Sequence, residues 1–448
     1  MNSNLLALLS SLQGQNGTLP PELLKHVETH LQTNPVTAPK KVLLVGTHIQ
    51  QFTGYSKVMY NIVNFLAKKP NLNVVHYGFQ RAKTTLAEYR PYPANVKSYD
   101  AADLEQPTEQ GFGYKNLPDI IRKERPDVIM IYNDALVVCR FIEEIVKHLN
   151  ADDRRRFKLI VYLDQVYKGQ RPMFLDIIRR EASVVFAFTE QWKKVLEKQF
   201  KGDSPKPRIG VLRHGFSPDM FKPVDKVRVR GTLGIPANSF LMLNVNRNSP
   251  RKRYDILIKA FVELIVKYPT KPIFLLCICD KGEKGGYPLF EIYLEEMEKR
   301  SVNVGMFKDR LMVSNVDQSL PDSEINNLYN VADIGVTTTE GEGFGLCQLE
   351  QMGVGVPQVV PNIMGINEFC NANNSILVQP SVHYYVPVGM GALCGEASAV
   401  DSHDYCMGIE TYMLDSTLRE AHGLEAKKMA NTFVWDTELQ PLYDEIMS

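Results

Sequence analysis

DIGVTTTEGEGFGLCQLEQMGVGVPQVVPN, residues Asp333–Asn362, changes its period twice. DIGVTTT is apolar and β-branched, as a buried strand is. GLCQLEQMGVG then spaces Leu346, Leu349 and Met352 along one helical face, and VPQVVPN is again a short apolar run. Strand, helix and strand within thirty residues is the βαβ unit of a parallel sheet. The turn between strand and helix, EGEGFG, holds Glu340 and Glu342 among glycines, and Glu350 follows in the helix. Three readings are open for it: a hydrolytic acid/base pair, a phosphate-binding turn, or a surface loop before a buried helix.

The same rhythm runs outward in both directions. Upstream lie strands at KVLLVGTH (Lys41–His48), NVVHYGF (Asn73–Phe79), PDVIMIYND (Pro126–Asp134), KLIVYLDQ (Lys158–Gln165) and SVVFAFT (Ser183–Thr189). The loop QQFTGYS follows the first strand and precedes a helix over KVMYNIVNFLAKK. PKPRIGVLRHGFSPDMFKP (Pro205–Pro223) carries four prolines and reads as a passage between domains, with a hinge near Gly215–Pro223. The rhythm then restarts at SFLMLNVNR, with KPIFLLCICD, RLMVSN and SILVQP as further strands. The expectation is an α/β protein of two Rossmann-like domains in series, facing across an interdomain cleft. Its parts are a helical extension over 1–36, an amino-terminal domain over 37–218, a second domain over 219–420 and a terminal helix over 421–448 that packs back on the first domain. The glycine-rich, aromatic run 383–398 reads as a variable loop.

Composition narrows the function. Of 448 residues, 44% are apolar and 23% charged, and the 51 basic residues balance the 51 acidic ones. Neutral charge argues against nucleic acid or an anionic membrane as main partner. No apolar run approaches a membrane span, and the first residues lack a basic signal-peptide region. Seven scattered cysteines without a Cys-x-x-Cys fit a reducing, cytoplasmic setting. No His, Cys and Asp cluster has metal-ligand spacing, so neither metal nor cofactor is expected.

Chemistry is sought at the carboxyl ends of the strands, where open α/β sheets bind ligands. Arg247, Arg251, Lys252 and Arg253 follow a strand without a nearby carboxylate and invite a polyanion; a solvated basic turn is the bland alternative. The helix after EGEGFG starts near Gly345, so its first amides suit a phosphate. Gly343 and Gly345 let backbone approach a ligand, with Phe344 and Leu346 beside them. Glu350 suits a ribose diol and Glu342 the cleft side of the phosphate. Glu340 falls outside the pattern and reads as a solvated loop carboxylate. Asp164, Tyr132, Asn133 and Asp134 end strands of the first domain and can reach the same cleft. His214 and His48 are weaker candidates for contact with a ligand.

These residues resemble the family-4 glycosyltransferases of GT-B fold. EGFGLCQLE holds the family's two glutamates, Glu342 and Glu350, seven residues between them. NRNSPRKRYDILIKAF resembles its Arg-then-Lys motif at Arg247 and Lys252, and VLRHGFSPDMFKP its interdomain stretch. NLYNVADIGVTTTEGEGFG and GVPQVVPNIMGINEF resemble the flanks of the glutamate motif, and Trp435 in FVWD also fits. NRNSPRKR, EGEGFGLC and MIYND are most similar to glycosyltransferases of large DNA viruses.

The resemblance implies a retaining, metal-independent transfer from a UDP- or GDP-linked sugar to a glycan, lipid, protein or small-molecule acceptor. Arg247 and Lys252 would hold the diphosphate, Glu350 the ribose and Glu342 the sugar. Gly54 would let the first domain approach the phosphates. Two departures stand out: QQFTGYS lacks the family's usual double glycine, and VYLDQVY puts Asp164 where a histidine often faces the donor sugar. A sugar-nucleotide epimerase, a phosphorylase of the same fold and a non-catalytic nucleotide-sugar binder are the alternatives.

Overall fold

The computed structural model describes residues 38–81, 89–200, 206–279, 285–314, 320–387 and 394–448. The helical extension expected over 1–36 lies outside the described residues, as does the middle of the glycine-rich run.

Seven strands form the first sheet, all parallel, in the order β3-β2-β1-β4-β5-β6-β7. They are β1 (Lys40–Thr47), β2 (Leu72–Phe79), β3 (Lys97–Asp100), β4 (Val128–Asp134), β5 (Lys158–Asp164), β6 (Val184–Ala187) and β7 (Arg208–Val211). Six more form a second parallel sheet, ordered β10-β9-β8-β11-β12-β13. These are β8 (Phe240–Asn244), β9 (Ile273–Ile278), β10 (Leu311–Ser314), β11 (Ile334–Val336), β12 (Gln358–Pro361) and β13 (Ser375–Val378). Parallel strands covered on both faces need continuous apolar runs. Val42, Leu43, Leu44 and Val45 of β1 are accordingly fully buried, as are Leu241, Met242 and Leu243 of β8.

Both sheets reverse strand order at one point, between β1 and β4 and between β8 and β11. Connections on either side of such a point run to opposite faces, leaving a crevice at the carboxyl ends. The loops after β8 and β11 therefore share one crevice.

Three elements differ from the sequence expectation. The proline-rich passage contains β7, the edge strand of the first sheet, so the crossing to the second sheet begins only after Val211. β3 has a short, half-exposed sequence, KSYD, that carries no strand-like apolar run. The run read as a variable loop forms an antiparallel pair, β14 (Val382–Val386) with β15 (Gly395–Ala399).

The chain crosses between the sheets a second time near its end. Phe216 N–H donates to Phe433 O at 2.5 Å, and a Cβ on Gly215 would lie 2.5 Å from Trp435 Cα. Beyond this crossing the helix Gln440–Met447 lies against the first sheet's neighbours. Asn71 Nδ2 donates to Tyr443 OH at 2.9 Å, and Lys158 Nζ lies 2.5 Å from Glu445 Oε1.

Candidate active site

Thr337–Thr339 continue from β11 and set the position of the basic turn beside it. Thr338 Oγ1 donates to Arg253 O at 2.7 Å, and Glu340 N–H to Arg251 O at 3.1 Å. A 3-10 turn over Pro250–Lys252 carries the cations, and Arg253 follows at φ +49°, where it begins the helix Tyr254–Lys267. A non-glycine residue there is held against a steric cost of about 1 kcal/mol; the threonine contacts hold it.

Lys252 Nζ and Arg251 Nη1 both donate to Glu342 Oε2, the arginine at 3.1 Å. Arg251 also donates to Gly341 O at 2.8 Å. Burial alone would raise the Glu342 pKa; the charges and hydrogen bonds of Lys252 and Arg251 outweigh it and bring it to about 2. The expectation of cations without a nearby carboxylate is corrected here, because the chain folds Glu342 and Glu340 onto them. Arg253 pairs with Asp255 at 2.9 Å and lies 3.4 Å from Glu340. Arg247 is exposed. The two cations at Glu342 are thus Arg251 and Lys252, and Arg247 stands outside the cluster.

Gly345, at φ +102°, turns the chain into the helix Leu346–Gly353, and no side chain caps that helix. The amides of its first turn have no intrahelical acceptor and carry the positive end of the helix dipole. Phe344 is 2% exposed, its ring 4.9 Å from His214 and 5.3 Å from Phe369, so only its backbone is available to a ligand. Leu346 is half-buried at the helix start.

Glu350 is buried on the same helix. It accepts from Tyr329 OH at 2.8 Å and from Lys57 Nζ at 2.7 Å. Lys57 stands on the helix Gly54–Ala67 of the first sheet's layer and also lies 3.0 Å from Asp322. Burial works to lower the lysine's pKa, and the carboxylates of Glu350 and Asp322 raise it on balance. Gly54 opens this helix in an exposed position where a Cβ would meet nothing.

Asp164 ends β5 and faces the glutamate loop. A Cβ on Gly343 would lie 2.2 Å from its Oδ1, so glycine is required there by the opposing carboxylate. Trp192 Nε1 donates to Gly343 O at 2.9 Å, a second tie to the same residue. Burial raises the Asp164 pKa to about 6, against the hydrogen bond from Tyr55 and the charge of Arg251. Tyr132 is buried behind it, Asp134 caps the helix Ala135–His148, and Asn133 accepts from the Asp134 amide at 2.9 Å.

Glu340 is not a solvated carboxylate. It is 6% exposed and accepts from Tyr167 OH at 3.0 Å and from Tyr384 OH of β14. Glu396 N–H of β15 donates to Lys168 O at 2.8 Å. The β14–β15 pair is therefore fastened to the loop after β5, with Glu340 as the shared acceptor.

His214 is buried among Phe188, Phe344 and Trp435, and neither ring nitrogen has a hydrogen-bond partner among the described residues. Burial holds its pKa near 3, hence neutral. His48 packs on His76 and Tyr92 inside the first domain. Lys57, Tyr55 and the β14–β15 pair escaped the sequence reading. Arg251 was read as a member of the basic turn, while the resemblance assigned the diphosphate to Arg247 and Lys252.

Cys139, Cys277, Cys347, Cys370, Cys394 and Cys406 form no disulfide among the described residues. Among the described residues no helix is long and apolar enough to cross a membrane, and no group of three His, Cys, Asp or Glu side chains is placed to hold a metal ion.

Residues 225–383 match the sequence model of the family described as Glycosyl transferases group 1. D-inositol 3-phosphate glycosyltransferase 2 of Catenulispora acidiphila is 28% identical over 191 residues, 43% of each chain. The Corynebacterium urealyticum D-inositol 3-phosphate glycosyltransferase is 30% identical over 169 residues, 37% of each chain. The chain thus matches about two fifths of the length of these curated relatives. Among solved structures, sucrose-phosphate synthase from Thermosynechococcus elongatus superposes with a TM-score of 0.68 at 15% identity, over 91% of this chain and 99% of that one. Anabaena Alr3699/HepE, in complex with UDP-glucose, superposes with a TM-score of 0.66 at 18% identity, over the same shares.

Proposed function

We propose that this protein, whose two parallel-sheet domains have the GT-B fold and whose second domain carries the group 1 glycosyl transferase match over 225–383, transfers a sugar from a nucleoside diphosphate sugar to an acceptor. The observation that carries the reading is the convergence of Lys252 and Arg251 on Glu342 in front of the uncapped helix start at Gly345. Two cations beside free amides form a site for a diphosphate and stabilise negative charge on a leaving phosphate without a metal. The backbone of Gly343, Phe344, Gly345 and Leu346 would line that place, and the exposed Arg247 after β8 would supply a further charge. Glu350, a turn deeper, is placed for the ribose once Lys57 yields it. Glu342 and Asp164 face the sugar from the two domains. Gly54 begins the helix nearest the phosphates from the first domain. Domain limits at 37–218, 219–420 and 421–448 are part of the proposal.

Alr3699/HepE is crystallised with UDP-glucose, which supports a UDP-linked donor here. Retention follows the resemblance at Glu342 and Glu350. The likeness to viral enzymes rests on NRNSPRKR, EGEGFGLC and MIYND alone. Seven scattered cysteines without a Cys-x-x-Cys support a cytoplasmic setting.

A thermal-shift screen of nucleoside diphosphates and their sugars tests the reading. A ligand at 100 times its dissociation constant adds about 2.7 kcal/mol of stability. No shift with any of them, and no donor hydrolysis, would reject it. Conversion of the donor without any acceptor would instead select the epimerase.

A further inference from the structure

We infer that Tyr55 is a positioning residue of the reaction centre, holding the Asp164 carboxylate by one oxygen so that the other is presented, ionised, to the glutamate loop. The inference rests on the proposed glycosyl transfer and assigns a part to a residue that no motif names. Tyr55 is the second residue of the helix Gly54–Ala67, whose start is fixed by the reciprocal bonds of Thr53 and Ser56. Its hydroxyl donates to Asp164 Oδ2 at 2.5 Å. Its ring packs on Tyr132 with centroids 5.3 Å apart, which fixes the direction of the hydroxyl. Asp164 Oδ1 is sealed from solvent without a hydrogen-bond partner among the described residues and rests against Gly343, next to Glu342. A sealed, unpartnered carboxylate oxygen is costly to keep, and such oxygens collect where a ligand supplies the missing donor. A sugar hydroxyl is a donor of the right kind.

Several groups face Asp164 from its own strand and from neighbouring elements. Tyr55 comes from the first helix, Tyr132 and Asp134 from β4, Tyr162 from β5, Arg251 from the basic turn and Glu342 from the loop. Burial, Glu342 and Asp134 favour the protonated acid, while the Tyr55 hydrogen bond and Arg251 favour the carboxylate. Tyr55 stays protonated, since burial and Asp164 push its own pKa well above the ordinary value, so it remains a donor at every working pH. Without its hydroxyl, Asp164 would be neutral over a wider range, and its freed oxygen could turn away from the loop.

The test is the titration of Asp164 in the full-length protein, followed by carbon NMR of labelled aspartate carboxyls and assigned with Asp164→Asn. Tyr55→Phe keeps the ring and its packing on Tyr132. The midpoint of Asp164 should rise by about one pH unit in Tyr55→Phe. The acidic limb of kcat/KM with a nucleotide sugar should move up with it, and Asp164→Asn should abolish that limb. An unmoved midpoint, or a Tyr55→Phe enzyme slowed equally at every pH, overturns the inference. A wild-type protein that turns over no nucleotide sugar rejects the proposed function, whereas a shifted midpoint in that same protein still supports the pairing.

Discussion

Lys57 Nζ lies 2.7 Å from Glu350 Oε1, joining a helix that follows β1 to the glutamate helix that follows β11. The same ammonium lies 3.0 Å from Asp322 and 4.7 Å from the centre of the Phe221 ring. Arg90 completes the network, 3.5 Å from Asp322. A carboxylate proposed for a ribose is therefore paired with a lysine of the helix that follows β1.

Lys57→Met should cost stability and increase affinity for nucleoside diphosphates. Removing one member of a buried ion pair leaves its partner uncompensated, at a cost of about 3 kcal/mol. Urea unfolding reads the loss. Calorimetric titration with UDP and GDP reads the affinity, which should rise because the ligand no longer displaces an internal cation. Weaker binding by the variant would show that Lys57 contributes to the site instead of competing for it.

Lys252→Ala and Arg251→Ala should each reduce turnover about 100-fold, the effect of one lost contact to developing charge. Arg247→Ala should do less and act mainly on KM, since Arg247 is exposed and apart from the Glu342 cluster. Steady-state kinetics on the three variants decides between them. Equal, severe losses of kcat in all three would place Arg247 on the reacting phosphate.

Glu342 should contribute stability that depends on pH in a known direction. Its pKa falls from 4.5 to about 2 in the folded protein, so the folded state holds fewer protons than the unfolded chain between those values. The contribution is complete above pH 4.5 and is lost as pH falls toward 2. Glu342→Gln should be less stable than wild type at neutral pH, and the gap should narrow through that window. Denaturant unfolding at a series of pH values measures it; a gap that widens on acidification would contradict the assignment.

Gly343→Ala should destabilise by about 1–3 kcal/mol, the usual cost of overpacking a filled contact. The added methyl would meet Asp164 Oδ1 at 2.2 Å and Phe188 at 3.1 Å. Asp164→Ala in the same chain should recover part of the loss, a coupling that a double-mutant cycle in thermal unfolding detects. Strict additivity would mean that the two residues are apart in solution.

The sequence legibly carried the strands that are buried on both faces and the helix that follows Gly345. β1, β4, β5, β8 and β12 each declare themselves through local apolar runs, because a parallel strand covered on both faces can hold little else. β7 was hidden inside a proline-rich passage, and β3 inside four residues with no apolar run. Edge strands pack one side only, so their sequences need not be apolar.

The candidate site divides in the same way. Lys252, Glu342, Gly345 and Glu350 were readable because a strand-loop-helix turn brings neighbours in sequence to one strand end. Lys57 meets Glu350 across 293 positions, and Asp164 meets Gly343 from a different sheet. Glu340 looked solvated for the same reason, since Tyr167 and Tyr384 reach it from distant elements. By itself the sequence determined the two sheets and the place in each where a ligand can bind, through period and turn chemistry that act over a few residues. Which charges neutralise one another there was decided only by the tertiary structure, because pairing energy depends on distance and burial in space and leaves no trace in local order.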